Sequence, residues 1–222
     1  MGLPVLIEGE SGSGKSRSLK NFKPGEISIF NVAGKPLPFK NNGLATLSVA
    51  KLVKANKGKS RYDVIKAAMF QSKSKAFAID DSQYLMAFDS FDKAKELGYG
   101  KFTDMAVSFE RLIEFVINDL PSDVIVYFLH HVELTDGGKY KAKTIGKMLD
   151  NQLTVEGLFS IVLFCTADEN HHYFITQSRG ISTAKSPEDM FDDEIENDLK
   201  FVDTKIREYW GLTPNNIERE EK

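Results

Sequence analysis

The apolar run Leu3-Pro4-Val5-Leu6-Ile7 leads into Gly9-Glu10-Ser11-Gly12-Ser13-Gly14-Lys15-Ser16, and no other feature of the chain restricts its fold as much. The spacing is G-x-x-x-x-G-K-[ST]. Glycines at these positions let a backbone curl around an anion and turn several N–H groups toward it. The run before the motif has the composition of a buried parallel strand, and the residues after it read as a short helix stopped by the segment from Asn21 to Gly25, with Pro24. Strand, glycine turn and helix together are the setting in which this spacing grips phosphate. Gly9, Glu10, Ser11, Gly12, Ser13, Gly14, Lys15, Ser16 and Arg17 are therefore the expected nucleotide contacts. Lys15 would reach the β- and γ-phosphates of ATP, and the Ser16 hydroxyl would ligate Mg²⁺.

A phosphate loop of this kind needs a carboxylate at the end of a neighbouring strand to organise the metal. Asp80 fits, because it ends the apolar run Ala76-Phe77-Ala78-Ile79, and a buried strand that stops at a charge stops at the rim of its sheet. Asp81 follows and points elsewhere, which suits a base that positions or activates water. His130 and His131 end a further buried run, Val124 to Leu129, where a polar side chain would sense the γ-phosphate; alternation allows one of them to face the site, and His131 is preferred. Lys185, just before the last expected helix, is a candidate cation for completing a neighbouring subunit's site, with Arg179 as its competitor.

The remaining chain alternates strands and helices. Strands are expected at Ile27 to Phe30, Leu158 to Thr166 and Tyr173 to Gln177, the last two spaced to allow a hairpin around Asp168 to His171. Residues 33–43 and 135–147 read as polar loops. Ser60 with Asp63 has the spacing of a capping box, and a longer helix is expected over about 104 to 118, with Met105, Phe109, Leu112, Ile113 and Val116 on one stripe. A final helix is expected from Ser186-Pro187-Glu188-Asp189, with the stripe Phe191, Ile195, Leu199, Val202, Ile206 and Tyr209. The sum is an α/β fold of the P-loop NTPase type, one domain over 1–212 and a fraying polar tail over 213–222. The single Cys165 sits in an apolar run and excludes a disulfide framework. With no run that reads as a membrane span and no leader-like start, the cytoplasm is the expected compartment.

Several segments together resemble the compact RecA-like, AAA-annotated ATPases of phages, a group that includes single-strand-annealing recombinases. Besides the strand and phosphate loop, they are Asn31-Val32-Ala33-Gly34-Lys35-Pro36-Leu37-Pro38-Phe39, Ile79-Asp80-Asp81-Ser82-Gln83-Tyr84-Leu85, Lys143-Thr144-Ile145-Gly146-Lys147-Met148-Leu149 and Thr183-Ala184-Lys185-Ser186-Pro187. The resemblance covers residues 3 to about 210. It implies a RecA-like core with a mostly parallel sheet flanked by helices, ATP and Mg²⁺ as cofactors, rings or filaments of identical subunits, and action on single-stranded DNA in recombination or replication beside a single-strand-binding protein. It also implies that the segment 135–147 is a DNA loop and that Lys185 is the finger. Larger recombinases place a catalytic glutamate after the second strand, where this chain has Asn31-Val32-Ala33-Gly34; either Asp81 substitutes or hydrolysis is slow.

The residues themselves carry part of the DNA reading. Lys139, Tyr140, Lys141, Lys143 and Lys147 form a basic cluster with one aromatic, suited to phosphate contact and base stacking, and Lys51, Lys54, Lys57, Lys59 and Arg61 form a second. The net charge of −3 supplies no general attraction to nucleic acid, so local clusters must do so. A nucleotide kinase is the competing enzyme class, and an ATP-switched loader or packaging partner the competing binding module. Kinases of that sort need arginines to clamp phosphates in a lid, whereas the only arginines here are Arg17, Arg61, Arg111, Arg179, Arg207 and Arg219.

Overall fold

A computed structural model describes residues 1–98, 100–146, 153–169 and 171–215. Its described strands form one nine-stranded, mostly parallel mixed sheet flanked by helices. β1 (Leu3–Gly9) lies between β5 (Ile125–Leu134) and β7 (Ile161–Ala167). Beyond β5 come β4 (Ala76–Asp80), β2 (Ser28–Asn31) and the edge strand β3 (Ala45–Ser48), all parallel. On the other side β8 (His172–Ile175) and β9 (Glu194–Glu196) continue the sheet antiparallel. β6 (Tyr140–Ala142) folds back on the end of β5. The central strands are apolar on both faces because both faces are covered.

Alternation along β1 shows the two layers. Leu6 faces a core with Phe30, Phe77, Phe128, Phe109 and Leu112, roofed by helices α1 (Val49–Ala55), α2 (Arg61–Gln71), α3 (Gln83–Asp92) and α4 (Gly100–Asp119). Val5 and Ile7 face a second core with Tyr127, Leu163 and Phe174, covered by α5 (Leu199–Trp210) and by the short 3-10 helix Ser16–Asn21. The expected stripe on α4 is buried throughout, and the Ser60–Asp63 capping box is formed at α2. The β7–β8 pairing is the expected hairpin, with the Asp168 amide donating to the His171 carbonyl.

Four expectations are corrected. The element after the phosphate loop is six residues of 3-10 helix, too short to contribute a substantial dipole, so anion binding there rests on amides and side chains. The last helix starts at Leu199 instead of Ser186. Asp198 caps it by accepting from the Lys200 and Phe201 amides, while Thr176 takes the carbonyls of Asp192 and Asp193 and draws the acidic run to the sheet edge as β9. The segment 135–147 is in its first part a hairpin: β5 runs on past His131 to Leu134 and pairs with β6 around a turn at Thr135–Gly138. The tail does not fray at once, since Arg207 donates to the Thr213 carbonyl and the Asn215 side chain donates to the Glu26 carbonyl.

Candidate functional site

Register sets the site. Gly9 on β1 pairs with His131 on β5, and Asn31 on β2 pairs with Asp80 on β4, so these side chains emerge along one rim of the sheet. That rim is formed by the carboxyl ends of parallel strands, where ligands of open α/β sheets bind. A cleft of about 290 Å³ opens there, lined by Ser11, Gly12, Gly14, Lys15, Ser16, Arg17, Lys35, Pro36, Pro38, Asp80, Asp81, His131 and His172.

The loop is built without slack. Gly14 has a φ of +105°, and a Cβ there would lie 2.8 Å from the His172 ring, so two separate constraints demand glycine. A Cβ on Gly9 would meet the Cys165 carbonyl at 2.4 Å. The Ser13 carbonyl accepts from His172 Nδ1 at 2.8 Å and from the Cys165 thiol at 3.2 Å, which ties the loop to β7 and β8. Burial pushes that thiol up to about 11, so Cys165 is a packing group. The amides of Gly12, Gly14 and Lys15 take no partner among the described residues and are free to donate to a bound anion.

Lys15 is almost fully buried and curls back on its own loop, with Nζ donating to the Gly9 carbonyl at 2.8 Å and the Glu10 carbonyl at 2.7 Å. Burial lowers its pKa, while the Asp81 and Asp80 carboxylates work against that shift. Ser16 Oγ donates to Asp80 Oδ1 at 2.6 Å. Because β5 intervenes, β1 and β4 are about 10 Å apart at two strand spacings, and this contact bridges the gap. Burial raises the Asp80 pKa and neighbouring Asp81 adds to it, with the Ser16 hydrogen bond opposing both. A hydroxyl and a carboxylate form an all-oxygen donor pair of the kind Mg²⁺ takes, with phosphate and water completing its shell. Among the described residues no group of three or more His, Cys, Asp or Glu side chains is placed to hold a metal ion by itself.

Asp81 adopts a left-handed backbone, φ 62°, and turns its carboxylate to a lysine and a histidine. Lys35 Nζ lies 2.7 Å from Oδ2 and His131 Nε2 lies 3.1 Å from Oδ1. Burial would raise its pKa, but the hydrogen bonds from His131 and Lys35 prevail and hold it below the usual carboxylate range. Asp81 thus holds both side chains at the cleft. His130 points the other way, fully buried. Its Nε2 donates to the Lys143 carbonyl, its Nδ1 faces Ser82 Oγ, and burial takes its pKa down to about 4, which keeps it neutral. Of the two histidines, His131 faces the cleft.

Other expected residues lie apart from the cleft. Lys185 is bridged through its backbone to Val162 on β7, and Arg179 pairs with Asp193. Neither lines its own cleft, so a finger role is left only across a subunit boundary. In the basic hairpin Lys139 and Lys143 are exposed and Lys141 lies 3.0 Å from Glu133. Tyr140 packs on Phe164 with ring centroids 5.3 Å apart, and the nearby Glu10 carboxylate raises its phenol. Lys147 lies outside the described residues. Sequence reasoning missed Lys35 and His172 as site residues. Lys35 sits within the Asn31–Phe39 segment, but no periodicity points to it, and His172 is visible only once the β7–β8 hairpin is placed beside the loop.

No protein-family model matches this sequence, and no curated protein does either.

Proposed function

We propose that the chain is a Mg²⁺-dependent ATP-binding protein of the P-loop, RecA-like type that hydrolyses ATP. The observation that carries this reading is the convergence of Lys15, the unpartnered loop amides and the Ser16–Asp80 pair on one cleft at the carboxyl rim of the sheet. Lys15 and Arg17 would neutralise the phosphates, and Lys15 would exchange two loop carbonyls for phosphate oxygens. Ser16 and Asp80 would hold Mg²⁺, which supplies charge neutralisation at the terminal phosphates. His131, oriented by Asp81, stands where it can bond an attacking water or the γ-phosphate. With Asn31-Val32-Ala33-Gly34 where larger recombinases carry a glutamate, either Asp81, held by Lys35 and His131, would substitute, or hydrolysis would be slow.

The substrate polymer in this reading is single-stranded DNA, contacted by Lys139, Tyr140, Lys141 and Lys143 on the β5–β6 hairpin, with recombination or annealing in a phage-infected cytoplasm as the setting. Rings or filaments, and a single-strand-binding protein as partner, belong to the same proposal. Among the described helices none is long and apolar enough to cross a membrane. The kinase alternative is weakened by where the arginines go. Arg207 is buried in an ion pair, Arg61 and Arg179 pair with Asp92 and Asp193, and among the described arginines only Arg17 lines the cleft.

The test is ATP hydrolysis with and without single-stranded DNA, on the native chain and on Lys15→Ala. The native chain should hydrolyse ATP, faster with DNA, and the variant should lose nucleotide binding and turnover together. Unchanged ATP affinity and turnover in the variant would refute the site. Phosphoryl transfer to a nucleoside monophosphate would establish the kinase instead, and tight binding without turnover the loader.

A further inference from the structure

Lys35 reaches the cleft from a loop that reads as surface polypeptide, and its placement is specified in detail. The Asn31 side chain, at the end of β2, accepts from the Gly34 amide at 2.7 Å and donates to the Lys35 carbonyl at 2.5 Å, closing the turn that carries Lys35. Two and four residues further on, Leu37 and Phe39 pack against the core under β1, and Pro36 and Pro38 stiffen the intervening backbone. The crest is therefore held at a fixed height above the rim while the lysine side chain stays 60% exposed. Its ammonium rests on Asp81 and lies 5.6 Å from the centre of the Tyr84 ring. A point charge on a flexible stem, mounted on a rigid turn, can change partners over a few ångströms without moving the backbone.

The cleft also poses a problem that Lys35 solves. A chain of phosphates laid along the loop from Lys15 toward β4 brings its last group beside Asp80, whose charge the proposed Mg²⁺ would offset, and beside Asp81, whose carboxylate repels it. Lys15 and Arg17 sit at the loop end of the cleft. Beside Asp81 the side-chain cation is Lys35, joined by His131 when protonated.

We propose that Lys35 is the residue that reads the third phosphate: it remains on Asp81 when a nucleoside diphosphate is bound and is shared with, or transferred to, the terminal phosphate of a triphosphate. The loop at 33–43 is then the part of the protein that distinguishes the two nucleotide states. This inference rests on the polyphosphate site proposed above.

Binding of fluorescent ADP and of a fluorescent non-hydrolysable ATP analogue, both with Mg²⁺, tests it on the native chain and on Lys35→Ala, Lys35→Arg and Lys15→Ala. Loss of one charge-assisted contact should weaken the triphosphate analogue about 10- to 100-fold in Lys35→Ala, and leave ADP within about twofold. Lys35→Arg should recover most of the loss, because it restores the charge. Lys15→Ala should abolish both. Equal losses for the two nucleotides in Lys35→Ala, or no loss for either, would overturn the assignment while leaving the site intact. A native chain that binds neither nucleotide would bring down the site and, with it, the role of Lys35.

Discussion

Glu8 lies on β1 one residue before the phosphate loop, fully buried, with Oε1 accepting from the Thr183 amide and hydroxyl and Oε2 without a hydrogen-bond partner among the described residues. Burial pushes its pKa up to about 7; the Thr183 hydrogen bond resists, and the nearby Glu156 carboxylate adds to the rise. Between pH 4.5 and about 7 the folded chain thus keeps a proton that the unfolded chain releases, so stability falls as pH rises through that window. Glu8→Gln should remove this slope. At pH 8 the variant should be more stable than the native chain by about 3 kcal/mol, with the difference vanishing below pH 4.5. Urea midpoints at several pH values measure it, and parallel curves would exclude Glu8 as the source. At this scale the sequence was most legible where side chains belong to the loop or a strand end: Lys15, Ser16, Asp80 and His131 all reach the cleft. It was least legible for Lys35 and His172, which arrive from a turn and a hairpin whose positions are set by distant packing at Leu37, Phe39 and Cys165.

Among the elements, buried parallel strands were easy to read because nothing polar interrupts them, as in Ala76–Asp80 or Ile161–Ala167. The short, half-exposed β3 and the helix α1 after it gave no comparable pattern. Ser186-Pro187-Glu188-Asp189 misled because it has the composition of a helix start, yet a better cap, Asp198, stands twelve residues on. The basic segment at 135–147 read as a loop because Gly137, Gly138 and the lysines hide a three-residue strand. Its pairing with β5 gives the lysines a fixed scaffold and a sharper test. Replacing Lys139, Lys141 and Lys143 with alanine should weaken single-stranded DNA binding and leave ATP affinity intact. If all three contact phosphates, the slope of log affinity against log salt should flatten by about 2. An unchanged slope and affinity would remove the hairpin from the DNA path.

On the scale of the whole molecule, the two rims of the sheet have different tasks. The carboxyl rim holds the cleft. At the amino rim Arg207, buried on α5, forms a pair with Asp203 at 2.8 Å and also donates to the carbonyls of Lys75 before β4, Asp123 before β5 and Thr213 after the helix. Tyr127 OH completes the group by donating to Asp203. Arg207→Ala leaves a buried carboxylate and three carbonyls without their donor, and should cost about 3–5 kcal/mol. Nucleotide affinity, measured where the variant is still folded, should not change, because the rims are a strand length apart. A loss below about 1 kcal/mol would mean that water replaces the guanidinium.

Glu10 stands between the phosphate loop and the basic hairpin: Lys15 holds its carbonyl, and its carboxylate lies close enough to raise the Tyr140 phenol. On the proposed reading, a nucleotide that draws Lys15 away would disturb this residue from one side, and DNA lodged against Tyr140 would disturb it from the other. Linkage would then be reciprocal: by whatever factor nucleotide alters the grip on the polymer, the polymer would alter the grip on nucleotide.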